Sequence, residues 1–119
     1  MKVKEILAAK GNRVVTIEKD TIILDAMSIF SANRVGSLII VDKENNILGI
    51  IGARDVLNAT IKNHKEIDAI TVDQIMTTNL IVGTEEDRVD YILAVMTENR
   101  IRHIPIMDGK ELKGLVSIG

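Results

Sequence analysis

The sequence predicts an α+β fold: two β-α-β-β-α repeats packed sheet to sheet with pseudo-two-fold symmetry. Three observations predict it. The first is internal self-similarity. A shift of about 66 residues puts Asn33-Arg34 on Asn99-Arg100, Ile40 on Ile106 and Asp42 on Asp108. The second is a shared 3-1-3 apolar step, Ile23, Ala26, Met27 and Phe30 in one copy and Val89, Ile92, Leu93 and Met96 in the other. That step sets its side chains on one helical face. The third is size. The chain has 119 residues, and a half of about 60 residues with a one-sided aliphatic sheet is marginal alone, so the halves pair.

Each repeat opens on a short helical turn, Val3 to Leu7 in the first and Val72 to Met76 in the second. A brief extended piece follows, Arg13 to Ile17 or Leu80 to Gly83. Then comes an amphipathic helix, about Thr21 to Asn33 and Asp87 to Asn99, started by Asp20-Thr21 and by Asp87 beside the exposed backbone N–H groups. Two strands, Ser37 to Val41 and Ile47 to Gly52, are joined by the polar stretch 42–46, a hairpin signal. Asp108-Gly109-Lys110 is the tighter turn of the second copy. A helix over Ala53 to Asn63 closes the first repeat, and the expected counterpart in the second is missing because the sequence stops at Gly119. Its loss should expose apolar surface. The repeats are assigned to 1–66 and 67–119, with the charged stretch 62–68 as a surface connection.

Composition removes whole function classes. With no Cys, a disulfide framework, a thiolate metal site and a thiol nucleophile are all excluded. One Tyr, one Phe and no Trp leave no stacking platform for single-stranded nucleic acid. A net charge of −2 gives no general attraction to nucleic acid or anionic membrane. The apolar runs are too short to span a bilayer, and the N-terminus lacks a secretory pattern, so the expected location is cytoplasmic. His64 and His103 have no paired ligand spacing for a metal. Ile50 and Ile51 between Gly49 and Gly52 argue for a strand rather than an RNA-clamping loop. Met27, Met76 and Met96 read as core packing. No nucleophile converges with a base and no paired acids share a cleft, so the chain reads as no enzyme.

Two stretches carry a family resemblance: Gly49-Ile50-Ile51-Gly52-Ala53-Arg54-Asp55 and Arg102-His103-Ile104-Pro105-Ile106-Met107-Asp108. With the element order, they resemble the CBS domain family, whose tandem pair is called a Bateman module. The resemblance covers essentially the whole chain. It implies a regulatory module whose cleft between the repeats takes an adenosine ligand such as AMP, ADP, ATP or S-adenosylmethionine and passes the signal to a partner. On this resemblance Asp55 accepts from the ribose hydroxyls and Arg54 beside it meets phosphate, with Ile50 and Gly52 in the same motif. Arg102 and His103 supply positive charge from the second copy, and Ile81-Val82 with Ile104-Pro105 form an apolar slot for adenine. A carboxylate can accept from both vicinal hydroxyls of a ribose, and a helix start offers spare N–H groups.

The chain departs from the family pattern twice. Gly52 stands where the pattern has Ser or Thr, and the acid that should follow Ser117 lies past Gly119. A second cleft, with Thr16, Ser37 and Ser117, is therefore expected to be impaired. Other readings stay open: Asp55 as a plain helix cap, Arg102-His103 as a solvated strand start, a structural or oligomerisation module with a non-binding cleft, or a regulatory fragment of a larger enzyme or transporter. Leftover apolar faces around Ile23 to Phe30 and Val89 to Met96 suggest a homodimer.

Overall fold

The computed structural model describes residues 1–11 and 13–118. The elements run α1 (Val3–Lys10), β1 (Thr16–Glu18), α2 (Ile23–Asn33), β2 (Ser37–Val41), β3 (Ile47–Gly52), α3 (Ala53–Lys62), a 3-10 turn over Val72–Gln74, α4 (Val89–Asn99), β4 (His103–Asp108) and β5 (Glu111–Ser117). Two compact units form. One spans Val15–Leu80; the other joins the N-terminal residues through Val14 to those from Ile81 onward.

In the 15–80 unit the strand order is β1-β2-β3. β1 lies parallel to β2, pairing Thr16 with Ile39 and Ile17 with Ile40. A parallel pair needs a crossover, and α2 provides it. β2 and β3 form an antiparallel hairpin in which Ser37 faces Gly52, Leu38 faces Ile51 and Ile39 faces Ile50. Strand side chains alternate between faces, so Leu38, Ile40 and Ile51 share the face that packs into a core with Ile23 and Ala26 of α2 and Val56 and Ala59 of α3. Ser37, Ile39, Ile50 and Gly52 belong to the opposite face. At the hairpin turn Asn45 has φ +67°, and Asp42 Oδ1 accepts the N–H groups of Glu44 (3.0 Å) and Asn46 (2.8 Å).

The other unit repeats the hairpin as β4-β5, pairing His103 with Ser117 and Ile104 with Val116. Gly109 turns it at φ +59°, a conformation glycine adopts without steric cost. Both hairpins carry an irregularity at the equivalent place, Ile40/Val41 and Ile106/Met107. Val3 and Leu7 of α1 complete this core with Ile92, Met96, Ile104, Ile106 and Val116.

The compact units are therefore not the sequence repeats. Each repeat's leading segment packs on the other repeat's helix start. Val89 N–H donates to Met1 O at 3.0 Å and Val3 N–H to Asp87 O at 2.9 Å. In the 15–80 unit Ile23 N–H donates to Ile70 O and Val72 N–H to Thr21 O, both at 2.8 Å.

That exchange corrects the expected helix starts. The N-caps are Ile22 and Arg88, with no side-chain cap, because an incoming backbone carbonyl takes the first N–H of each helix. Asp87 instead accepts Thr84 N–H at 2.8 Å. Three further corrections follow. The extended piece at 80–83 shrinks to a single parallel bridge, Gly83 with Ile106; the Gly83 N–H donates to Pro105 O, and the Gly83 carbonyl accepts the Met107 N–H. β1 begins at Thr16 rather than Arg13, where pairing with β2 starts. Met27 and Leu93 are 40% and 43% exposed, because only the i, i+3, i+7 edge of each helix reaches its sheet. Met96 is buried and Met76 half-buried against the core.

Candidate functional site

The strand-to-helix turn at the end of β3 is built from its sequence. Gly52 is the N-cap of α3, with φ −98° and ψ 164°. Its N–H donates to Asp55 Oδ2 at 2.7 Å, and Ala53 N–H donates to Gly36 O at 3.2 Å. The helix-cap reading of Asp55 thus describes one of its oxygens. Oδ1 has no hydrogen-bond partner among the described residues. Asp55 is half-buried and Arg54 exposed. A Cβ on Gly52 would stand 3.6 Å from Asp55 Oδ2 and 3.7 Å from Gly36 O, ordinary contact distances.

Across the ladder from Gly52 stands Ser37, 4% exposed. Its Oγ is buried with no hydrogen-bond partner among the described residues. Thr16, exposed, begins the neighbouring strand, and Ile50 is half-buried. Thr16, Ser37, Ile50, Gly52, Arg54 and Asp55 therefore gather at one end of one sheet, although the sequence reading divides them between two clefts. The cross-strand register that joins Ser37 to Gly52 has no signature in the linear sequence.

The other unit has an equivalent end. His103 faces Ser117, with Nδ1 and Oγ 2.9 Å apart. Arg102 is exposed, and its carbonyl accepts Ile118 N–H at 3.0 Å. Ile81 and Ile104 belong to the core of this unit. Pro105 is buried as well, on the opposite face of β4 from Ile104. Val82 and Ile118 are 51% and 42% exposed. The sequence reading passed over Ile118, whose exposure depends on where β5 ends. By repeat position, Val82, His103 and Ser117 correspond to Thr16, Ser37 and Gly52.

At the opposite end of the 15–80 sheet lies a cavity of about 250 Å³ lined by Glu18, Lys19, Asp20, Val41, Asp42, Lys43 and Glu44. Its charges are mixed. Asp42, held by the Asn46 backbone N–H first and the Asn46 side chain and Glu44 N–H after it, keeps its carboxyl below the usual range. Among the described residues no group of three or more His, Cys, Asp or Glu could hold a metal. No described helix is long and apolar enough to cross a membrane.

The comparisons with known proteins agree with this architecture. The CBS domain model matches residues 3–62 and 72–119. The mitochondrial CBS domain-containing protein CBSX3 of Arabidopsis thaliana is 36% identical over 104 residues, covering 84% of this chain. This chain spans half of that relative's length. The crystal structure of the CBS-domain containing protein ATU1752 from Agrobacterium tumefaciens superposes with a TM-score of 0.94 at 30% identity, over 99% of this chain and 88% of that one. The CBS domain pair of protein MJ0100, crystallised with 5′-methylthioadenosine and S-adenosyl-L-methionine, matches with a TM-score of 0.87 at 28% identity, over 98% of this chain and 89% of that one. Two repeats of one topology, matched by one family model almost end to end, place this chain in the CBS domain family as a tandem pair.

Proposed function

We propose that the chain is a regulatory ligand-sensing module that binds an adenosine nucleotide with residues of both its repeats, 1–66 and 67–119. The observation that carries this reading is Asp55, a half-buried carboxylate that commits one oxygen to the α3 cap and leaves the other without a hydrogen-bond partner among the described residues. Asp55 takes ribose hydroxyls, with Gly52 and Ile50 beside it and Arg54 at the phosphate. In the other unit Arg102 and His103 offer positive charge, and Val82 and Pro105, with Ile81 and Ile104 beneath them, offer an apolar surface for the same class of ligand. The likeness to protein MJ0100, crystallised with two adenosine compounds, supports the ligand class. Binding shifts a conformational equilibrium only by its differential affinity for the two states, and a partner reads the result.

The test is thermal unfolding with AMP, ADP, ATP and S-adenosylmethionine, beside Asp55→Asn and Arg102→Ala. Asn at 55 keeps an acceptor for Gly52 N–H but loses the charge. A ligand at 100 times its Kd stabilises by about 2.7 kcal/mol, a rise of roughly 10 °C for a domain of this size. A rise with one ligand, reduced in both variants, supports the reading; no rise with any of the four overturns it.

A homodimer belongs to the same proposal. α2 and α3 pack side by side in the 15–80 unit and leave Leu24, Met27, Leu57 and Ile61 between 40% and 67% exposed. Light scattering should give a dimer mass, reduced to that of one chain by Leu57→Glu.

A further inference from the structure

The two units build the same junction at the starts of α4 and α2, and they fill it differently. In one, Val3 N–H donates to Asp87 O and Lys4 N–H to Glu85 O; in the other, Val72 N–H donates to Thr21 O and Asp73 N–H to Lys19 O. That register matches Lys2 and Lys4 with Thr71 and Asp73, and Glu86 with Asp20. Glu86 takes the ammonium groups of Lys2 and Lys4 at 2.7 and 3.0 Å. Asp20 receives no such cation, because Thr71 and Asp73 bring none and the Thr71 hydroxyl donates to the Asp73 carboxylate instead.

Asp20 lines the cavity of about 250 Å³ at the far end of the β1-β2-β3 sheet, together with Glu18, Glu44, Lys19 and Lys43. The Asp42 carboxylate on the same wall is committed to the hairpin turn, accepting from Glu44 N–H and from Asn46. The side chains of the other five make no hydrogen bond or ion pair among the described residues. Opposite charges that line one small cavity without pairing suit a molecule that carries both signs. Drug-sized ligands need roughly 300–1,000 Å³, so this space takes something smaller.

We infer that this cavity binds a small basic amino acid, its ammonium groups on Asp20, Glu18 and Glu44 and its carboxylate on Lys19 and Lys43. The ammonium at Asp20 does there what Lys2 and Lys4 do at Glu86. Four acids against two lysines leave the lining net negative, which favours a ligand of net positive charge and disfavours a nucleotide phosphate. The site lies within the 15–80 unit, at the other end of the sheet from Asp55, and is independent of the nucleotide reading.

NMR titration of the isotope-labelled chain with L-lysine and with cadaverine, its decarboxylated counterpart, tests it. L-lysine should give saturable shifts at the amides of 18–20 and 41–44 and bind more tightly than cadaverine. Asp20→Asn, at an exposed position, should weaken both about fivefold, the worth of one exposed ion pair. Lys19→Ala should weaken L-lysine and leave cadaverine unchanged. Thr71→Lys with Asp73→Lys gives Asp20 the partners that Glu86 has, and should displace both compounds. No saturable shift with either compound, or wild-type affinity in Asp20→Asn, overturns the inference. Cadaverine binding as tightly as L-lysine overturns the assignment to an amino acid. Unchanged binding in the double lysine variant overturns the place given to Asp20.

Discussion

Arg34 and Arg100 hold the same unusual backbone, φ 53° and 55°, at the ends of α2 and α4. Before each stands an asparagine whose side-chain amide donates to the carbonyl four residues back, Asn33 to Ile29 and Asn99 to Val95, both at 2.8 Å. The left-handed conformation costs a non-glycine residue about 1 kcal/mol, and glycine recovers part of it against its own unfolded-state entropy. Arg34→Gly and Arg100→Gly should therefore each raise stability by about 0.5 kcal/mol in urea unfolding. The Asn-Arg pair is visible in the sequence as a repeat marker; its backbone role is not, because arginine carries no preference for positive φ. Asp55 is legible in part, since an acid three residues after a helix-starting glycine is a local pattern. Asp55→Ala, lacking any acceptor for Gly52 N–H, should cost about 1 kcal/mol without ligand, and Asp55→Asn less.

At the scale of elements, α1 has the clearest consequence. Its Val3 and Leu7 are buried in the core formed by α4, β4 and β5, far along the chain. Leu7→Ala should cost about 2–4 kcal/mol in denaturant unfolding. Combined with Ile106→Ala, its cost should depart from additivity, because the two side chains share one cluster. Were α1 a detachable leader, Leu7→Ala would leave the unfolding midpoint where it was. The hairpins, by contrast, were readable from sequence. A polar turn between aliphatic runs specifies β2-β3, and Gly109 specifies β4-β5. The helix phases were half readable: the 3-1-3 step located each helix but overstated its buried stripe at Met27 and Leu93.

Among the described residues the resolved charge shifts fall on Lys2 near the chain start, Asp42 at the first hairpin, and Glu86 and Asp90 around the start of α4. The Lys2 and Lys4 ammonium groups, 2.7 and 3.0 Å from the Glu86 carboxylate, hold its carboxyl below the ordinary 4.5. Asp42 is held below 3.8 by the Asn46 N–H and its neighbours. A depressed carboxyl contributes stability that is present above its unfolded pKa and lost as pH falls through its folded one. Thermal unfolding should thus show a flat Tm down to about pH 5 and a decline below about pH 4. Asp42→Ala and Glu86→Gln together should make that decline shallower; an unchanged slope would assign the acid sensitivity to other groups. Lys2 is raised above 10.5 by the Glu86 hydrogen bond, so its contribution holds below that value and fades as pH climbs beyond it. These pairs are solvent-exposed, so salt should weaken them.

By itself the sequence determined the duplication, the α+β class, the places of both hairpins and the family, because each is a pattern among near neighbours or a comparison at fixed offset. The tertiary structure decided which segment completes which core and which side chains stand opposite one another. α1 joining the unit of Ile92 and Ile106, and Ser37 facing Gly52, are contacts between positions with no shared local period. They follow from burying aliphatic surface and satisfying helix-start N–H groups across the fold, which only the folded chain can arrange.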